Sequence, residues 1–165
     1  MLLIWMACNG GAEPSILDDV APTESHYVPG LQCEAQVLRT EGNVPHIYAR
    51  DRGDLARALG FTLARDRWFQ MELISRLGLG DVSSLLGQDA LETDMESRSS
   101  GMTFVADQIL ANMTPEQAVV FDGFAEGINA YLVGVSTGEL DPPSELELAA
   151  PLLGARTTPR RGRTV

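Results

Sequence analysis

Residues 51–80 sustain one helical pattern that closes on glycine, and no other stretch constrains the fold as much. Leu55, Leu59 and Leu63 recur at four-residue spacing, and Trp68, Met71, Ile74 and Leu77 continue at three. Asp51 or Asp54 can cap the start, because a carboxylate accepts hydrogen bonds from the free N–H groups of a first helical turn. Gly78 and Gly80 end it. Gly60, inside the pattern, allows a kink or a close packing contact. The aromatic and methionine positions are read as core.

A second helix announces itself at Thr114-Pro115-Glu116-Gln117. Thr114 suits the N-cap, Pro115 the first helical position, and Gln117 the reciprocal position of a capping box. Phe121, Phe124, Ile128 and Tyr131 then line one face, and Gly134 or Gly138 ends the element. Asp141-Pro142-Pro143 makes a rigid turn. Between the two helices, a short segment at residues 82–86 precedes Gly87. Asp89, Thr93 or Asp94 starts a further helix that runs through roughly residue 113.

Upstream lie two strand-like runs, Glu34-Ala35-Gln36-Val37-Leu38-Arg39 and Val44-Pro45-His46-Ile47-Tyr48-Ala49. Thr40-Glu41-Gly42-Asn43 joins them, and both Gly and Asn tolerate positive φ, as a hairpin needs. Pro45 restricts its run to an edge or to a strand's first residues. Residues 9–32, with Pro14, Pro22 and Pro29, read as a flexible linker in which His26 is solvated.

The net charge of −11 excludes a nucleic-acid partner, since phosphate contacts require a basic face. All twelve basic residues are arginine, a bias that GC-rich coding DNA explains. Four of them, Arg156, Arg160, Arg161 and Arg163, fall in the last ten residues, which hold no acid. Cys8 and Cys33 could form one disulfide, which spacing alone does not establish. With two histidines and no Cys-x-x-Cys, a zinc site has no support. Met-Leu-Leu-Ile-Trp-Met-Ala-Cys at residues 1–8 is too short to span a bilayer. It resembles the end of a lipoprotein signal, which would lipidate Cys8; the alternative is a frayed terminus. Cys8 as an N-terminal nucleophile is rejected, because the Gly-rich residues after it are poor strand formers.

Several segments, in order, carry a family likeness. They are Gly42-Asn43-Val44-Pro45-His46-Ile47; the Ala- and Leu-rich residues 54–60; and Ala64-Arg65-Asp66-Arg67-Trp68-Phe69-Gln70-Met71-Glu72. Leu85-Leu86-Gly87-Gln88-Asp89-Ala90-Leu91-Glu92-Thr93-Asp94 and Phe124-Ala125-Glu126-Gly127-Ile128-Asn129-Ala130-Tyr131 complete the set. Each alone is weak, but the ordered set resembles the penicillin acylase family over roughly residues 34–148.

The resemblance implies an α+β fold: the helix-rich α-chain part of an N-terminal-nucleophile hydrolase of αββα sandwich type, with an N-terminal strand pair. The chain then divides into a partial signal at 1–8, the linker at 9–32, an acylase-like segment at 33–148 and a foreign or disordered tail at 149–165. It implies an amidohydrolase whose nucleophile is the N-terminal serine of a separate β chain. Substrates would be small-molecule amides such as β-lactam side chains or acyl-homoserine lactones. Calcium would belong to the complete enzyme and not to this segment. The expected location is periplasmic or otherwise outside the cytoplasm, with any membrane contact through a lipid anchor.

Pro45, His46, Asp66, Arg67, Gln70, Glu72, Gly127 and Asn129 are motif positions with structural roles, and no catalytic residue is assigned. His46 is read as packed or hydrogen-bonded, and Asp66 with Gln70 as a polar network tying the helix to the rest. The departure lies after Pro142-Pro143, where the family's Pro-x-x-Trp segment gives way to an Arg/Thr/Pro/Gly tail. A frameshift or truncation near residues 149–156 accounts for it; a natural basic tail is the other reading. The competing function is a non-catalytic, lipid-anchored binding module.

Overall fold

The structure, a computed structural model, describes residues 24–143 and residue 145. The expectations for residues 1–8 and 149–165, including lipidation of Cys8, lie outside the described residues, as does most of the linker.

The hairpin forms from β1 (Gln36–Arg39) and β2 (Pro45–Tyr48), antiparallel, with Val37 opposite Ile47 and Arg39 opposite Pro45. Pro45 opens its strand. Gly42 and Asn43 turn the chain with φ of 79° and 60°, values that a β-branched residue would resist.

Helix α1 spans Arg52–Leu79. Asp51 is its N-cap, accepting from the Asp54 N–H at 2.9 Å, and Gly80 closes it at φ 64°. The short α2 (Ser83–Leu86) leads to a 3-10 turn and to α3 (Leu91–Ser99). The single helix expected through residue 113 is instead two. Gly101, at φ 73°, separates α3 from α4 (Met102–Ala111). Helix α5 (Pro115–Thr137) starts with the full Thr114/Gln117 capping box and stops at Gly138.

The organising contact is between α1 and α5, and the leucine pattern does not make it. Leu55 and Leu59 are 40% and 39% exposed, and Phe121 is 56% exposed. The buried stripe of α1 is Gly53, Ala56, Gly60 and Ala64; that of α5 is Gly123, Gly127, Tyr131 and Gly134. The backbones themselves touch. A Cβ on Gly60 would stand 2.1 Å from the Phe124 carbonyl oxygen, and one on Gly127 2.0 Å from that of Arg57. Leucine cannot enter so narrow an interface, so the leucines turn outward. Gly60 thus serves close packing. The break in α1 falls at Arg67 (φ −143°, ψ 30°), where the Phe69 N–H donates to the Glu145 carboxylate at 3.2 Å.

Beside this contact, Phe61, Ala64, Tyr131 and Val28 form the core, with Phe61 and Tyr131 edge to face at 5.7 Å. The Tyr131 hydroxyl donates to the Asp141 carbonyl at 2.9 Å, which fixes the turn after α5. Many other large apolar side chains stay outside: Met95, Met102, Phe104 and Ile109 are each more than half exposed. The core assignment made from residue type therefore fails on α3 and α4.

Residues 24–32 are also less linker-like than expected. Val28 is buried, and His26, though exposed, sets its ring 5.6 Å from Phe61.

Gly60→Ala or Gly127→Ala is expected to destabilise the chain by at least about 1–3 kcal/mol through overpacking. Gly78→Ala, where a Cβ meets nothing within 4 Å, should be neutral or stabilising by up to about 1 kcal/mol. Thermal melts followed by circular dichroism check both. Equal effects at the three positions would contradict the packing.

Candidate functional site

Of the polar motif residues given structural roles from sequence, Asp66 and Arg67 reach other parts of the chain, while Glu72 and His46 bond within their own helix or hairpin. Asp66 receives both terminal nitrogens of Arg39 at 2.9 Å each, which clamps β1 to α1. Such a bidentate pair fixes orientation as well as distance. Gln70, four residues on, is exposed. Arg67 is exposed and reaches Glu145 at 3.4 Å. Glu72 accepts from Arg76 Nε at 2.8 Å within one helical turn, and Arg76 also holds Asp81 at 3.0 Å. His46 faces solvent with its Nε2 3.1 Å from the Thr40 hydroxyl, within the hairpin. Pro45 is half-buried at the start of β2, and Gly127 lies in the helix contact.

Asn129 is brought together with Glu72. They share a cleft of about 210 Å³ between the second half of α1 and α5, lined also by Trp68, Met71, Ser75 and Ile128. A larger, apolar groove of about 460 Å³ lies on the other part of the same helix pair, along Leu55, Leu59, Val120, Phe121 and Phe124.

Two buried carboxylates, Asp54 and Asp94, were read from sequence only as possible helix starts. Asp54 is completely buried and accepts from the Gln32 N–H at 3.0 Å and the Cys33 N–H at 2.8 Å. Arg57, reaching Asp54 at 3.5 Å, also holds Glu126 of α5 at 2.7 Å. Asp94 accepts from the Val82 N–H at 2.6 Å and the Ser83 N–H at 2.9 Å, so it caps α2 from across the chain. Burial would raise its carboxyl, but the donors from Ser83 and Val82, with Arg98 near, hold it below the usual aspartate value of 3.8. The available signal was position: both aspartates belong to the ordered motifs.

Asp54, Asp66, Glu72 and Asp94 are thus each engaged by an arginine or by backbone donors, an arrangement suited to positioning. Among the described residues, no three His, Cys, Asp or Glu side chains converge as metal donors.

The sequence model of the family described as penicillin amidase matches residues 34–159. The chain belongs to the penicillin amidase family. It is 35% identical over 104 residues to penicillin G acylase of Escherichia coli, covering 63% of this chain and 12% of that one. Identity to the penicillin acylase 2 proenzyme of Pseudomonas sp. (strain SE83) is 38% over 105 residues, covering 64% and 14%. It is 33% over 116 residues to acyl-homoserine lactone acylase QuiP of Pseudomonas fluorescens, covering 69% and 14%. These relatives are amide hydrolases.

The chain spans about one-eighth of the length of those curated relatives. The solved thermostable penicillin G acylase from Alcaligenes faecalis superposes with a TM-score of 0.62 at 30% identity, over 69% of this chain and 60% of that one. The helix-rich fold with its strand pair is thus the fold expected of this family's segment. The family match also runs past residue 149, into the stretch whose composition reads as foreign.

Because the Asp94 carboxyl is depressed in the folded state, its contribution is present above about pH 4 and is lost as pH falls through the lower folded value. Asp94→Asn is expected to melt below the parent chain at neutral pH, with the gap narrowing below about pH 4. A gap that stays constant across a pH series of melts contradicts this role.

Proposed function

We propose that this chain is the N-terminal, α-chain-type part of a penicillin acylase family amidohydrolase, and that it requires a β chain bearing the nucleophile. The observation that carries the reading is the disproportion in the comparisons. The matched stretch is 12% of the Escherichia coli enzyme but 60% of the solved chain from Alcaligenes faecalis. The solved chain is several-fold shorter, as a separate processed chain would be. The word proenzyme in a relative's name supports the same division.

In the completed enzyme, the N-terminal serine of the β chain would attack the acyl carbonyl with its own α-amine as base. Oriented amide donors would hold the oxyanion. The present chain would frame that site: Asp66 with Arg39 sets the strand pair on α1, and Tyr131 sets the path after α5. The substrate class is a linear amide on a small molecule, of the β-lactam side-chain or acyl-homoserine lactone type. The location would be outside the cytoplasm.

Translation of the encoding DNA from residue 140 onward in all frames tests this. A continuation into a Pro-x-x-Trp segment and a later serine at a self-cleavage site is the expected result. The 165-residue chain alone should then hydrolyse no acyl amide, while the completed protein should. Measurable hydrolysis by the chain alone, or no continuation in any frame, contradicts the reading.

A further inference from the structure

Cys33 lies just ahead of β1, and its backbone is pinned there. Its N–H donates to the Asp54 carboxylate at 2.8 Å, and the Gln32 N–H donates to the same group at 3.0 Å. Asp54 is fully buried in the first turn of α1, so the chain at Cys33 is seated on the start of that helix. The Cys33 residue is half-buried, and its sulfur is disulfide-bonded rather than a free thiol. Residues 24–33 run back along α1 toward this point. Glu24 pairs with Arg65, the His26 ring lies 5.6 Å from Phe61, and Val28 is buried.

We infer that the sulfur bonded to Cys33 is that of Cys8, so that residues 8–33 make a covalently closed arm fastened to the start of α1. The sequence holds two cysteines and the structure is of one chain, which leaves Cys8 as the partner. The reach is ample. Arg65, where Glu24 is held, stands roughly 16 Å along α1 from Asp54 at the helical rise per residue. The polypeptide from Cys8 to Glu24 can span up to about 54 Å when extended, well beyond that return distance. The inference is independent of the acylase reading. It bears on the N-terminus, because a lipid anchor on Cys8 would use the same sulfur as a thioether, so pairing and lipidation exclude each other. It also requires an oxidising compartment, which the proposed location outside the cytoplasm supplies. A bond between two copies is disfavoured, since each copy brings a net charge of −11.

The test starts from the full 165-residue chain, reduced and unfolded, then refolded in a glutathione buffer. Pairing removes one hydrogen from each thiol and forms the S–S bond, while one glutathione disulfide takes up both electrons and both protons to become two glutathiones. Non-reducing peptide mapping should recover Cys8 and Cys33 in one linked peptide, from a chain that stays monomeric in light scattering. If the fold brings the two sulfurs together, the equilibrium constant of this exchange should be at least about tenfold larger for the folded chain than in concentrated urea. The same mapping is then made on the chain as exported by a bacterial host, and the linked peptide should be recovered again.

Equal exchange constants in buffer and urea overturn the inference, since the pairing would then owe nothing to the fold. Two free thiols, or a Cys33–Cys33 linked dimer, also overturn it. Recovery from the exported chain of a lipid thioether on Cys8 beside a free Cys33 thiol overturns it in favour of the anchor.

Discussion

Two helix backbones in direct contact set the terms for everything else in this chain. At Gly60 and Gly127 the separation leaves no room for even a methyl group, so dispersion between main chains replaces the usual interdigitation of side chains. The core beside it is small, built on Phe61, Ala64 and Tyr131. The leucines that would fill a conventional interface are displaced to its edge. One constraint thus gives both the stability of the pair and the apolar groove that it presents outward.

The remaining elements are tied to this pair chiefly by polar groups. Asp54 gathers the backbone at Gln32 and Cys33 onto the start of α1, and Arg57 links the same region to Glu126 on α5. Arg39 and Asp66 hold the hairpin, and Asp94 holds α2. A buried carboxylate is stable in such places because backbone N–H donors and arginines compensate for lost water. Asp54, Arg57, Asp66 and Asp94 are the joints of this scaffold.

Much of the local structure was legible. The capping box at Thr114, the stops at Gly80 and Gly138 and the turn at Gly42 and Asn43 follow from short-range chemistry, which sequence states directly. The face that α1 buries was not legible in the same way. Leu55, Leu59 and Leu63 share their helix with a glycine and alanine stripe at similar spacing, and hydrophobic periodicity favours the larger residues. The break at Gly101 went unread for another reason: a glycine between Ser100 and Met102 can sit inside a helix or end it, and short-range sequence does not decide which. The Arg39–Asp66 and Arg57–Glu126 pairs join residues far apart in the chain, so no local pattern encodes them. The segments that established the family are the ones that form these joints, which is why an ordered set of weak motifs identified the family without revealing what each residue does.

The central claim is that the α1–α5 contact is the stable unit to which the rest is fastened. Native-state hydrogen exchange of the chain measures this most directly, since protection reports the free energy of opening at each amide. The slowest amides should lie at residues 56–64 of α1 and 124–134 of α5, with α4 exchanging much faster. Protection in α4 equal to that of the helix pair, or its absence from the pair, would contradict the account.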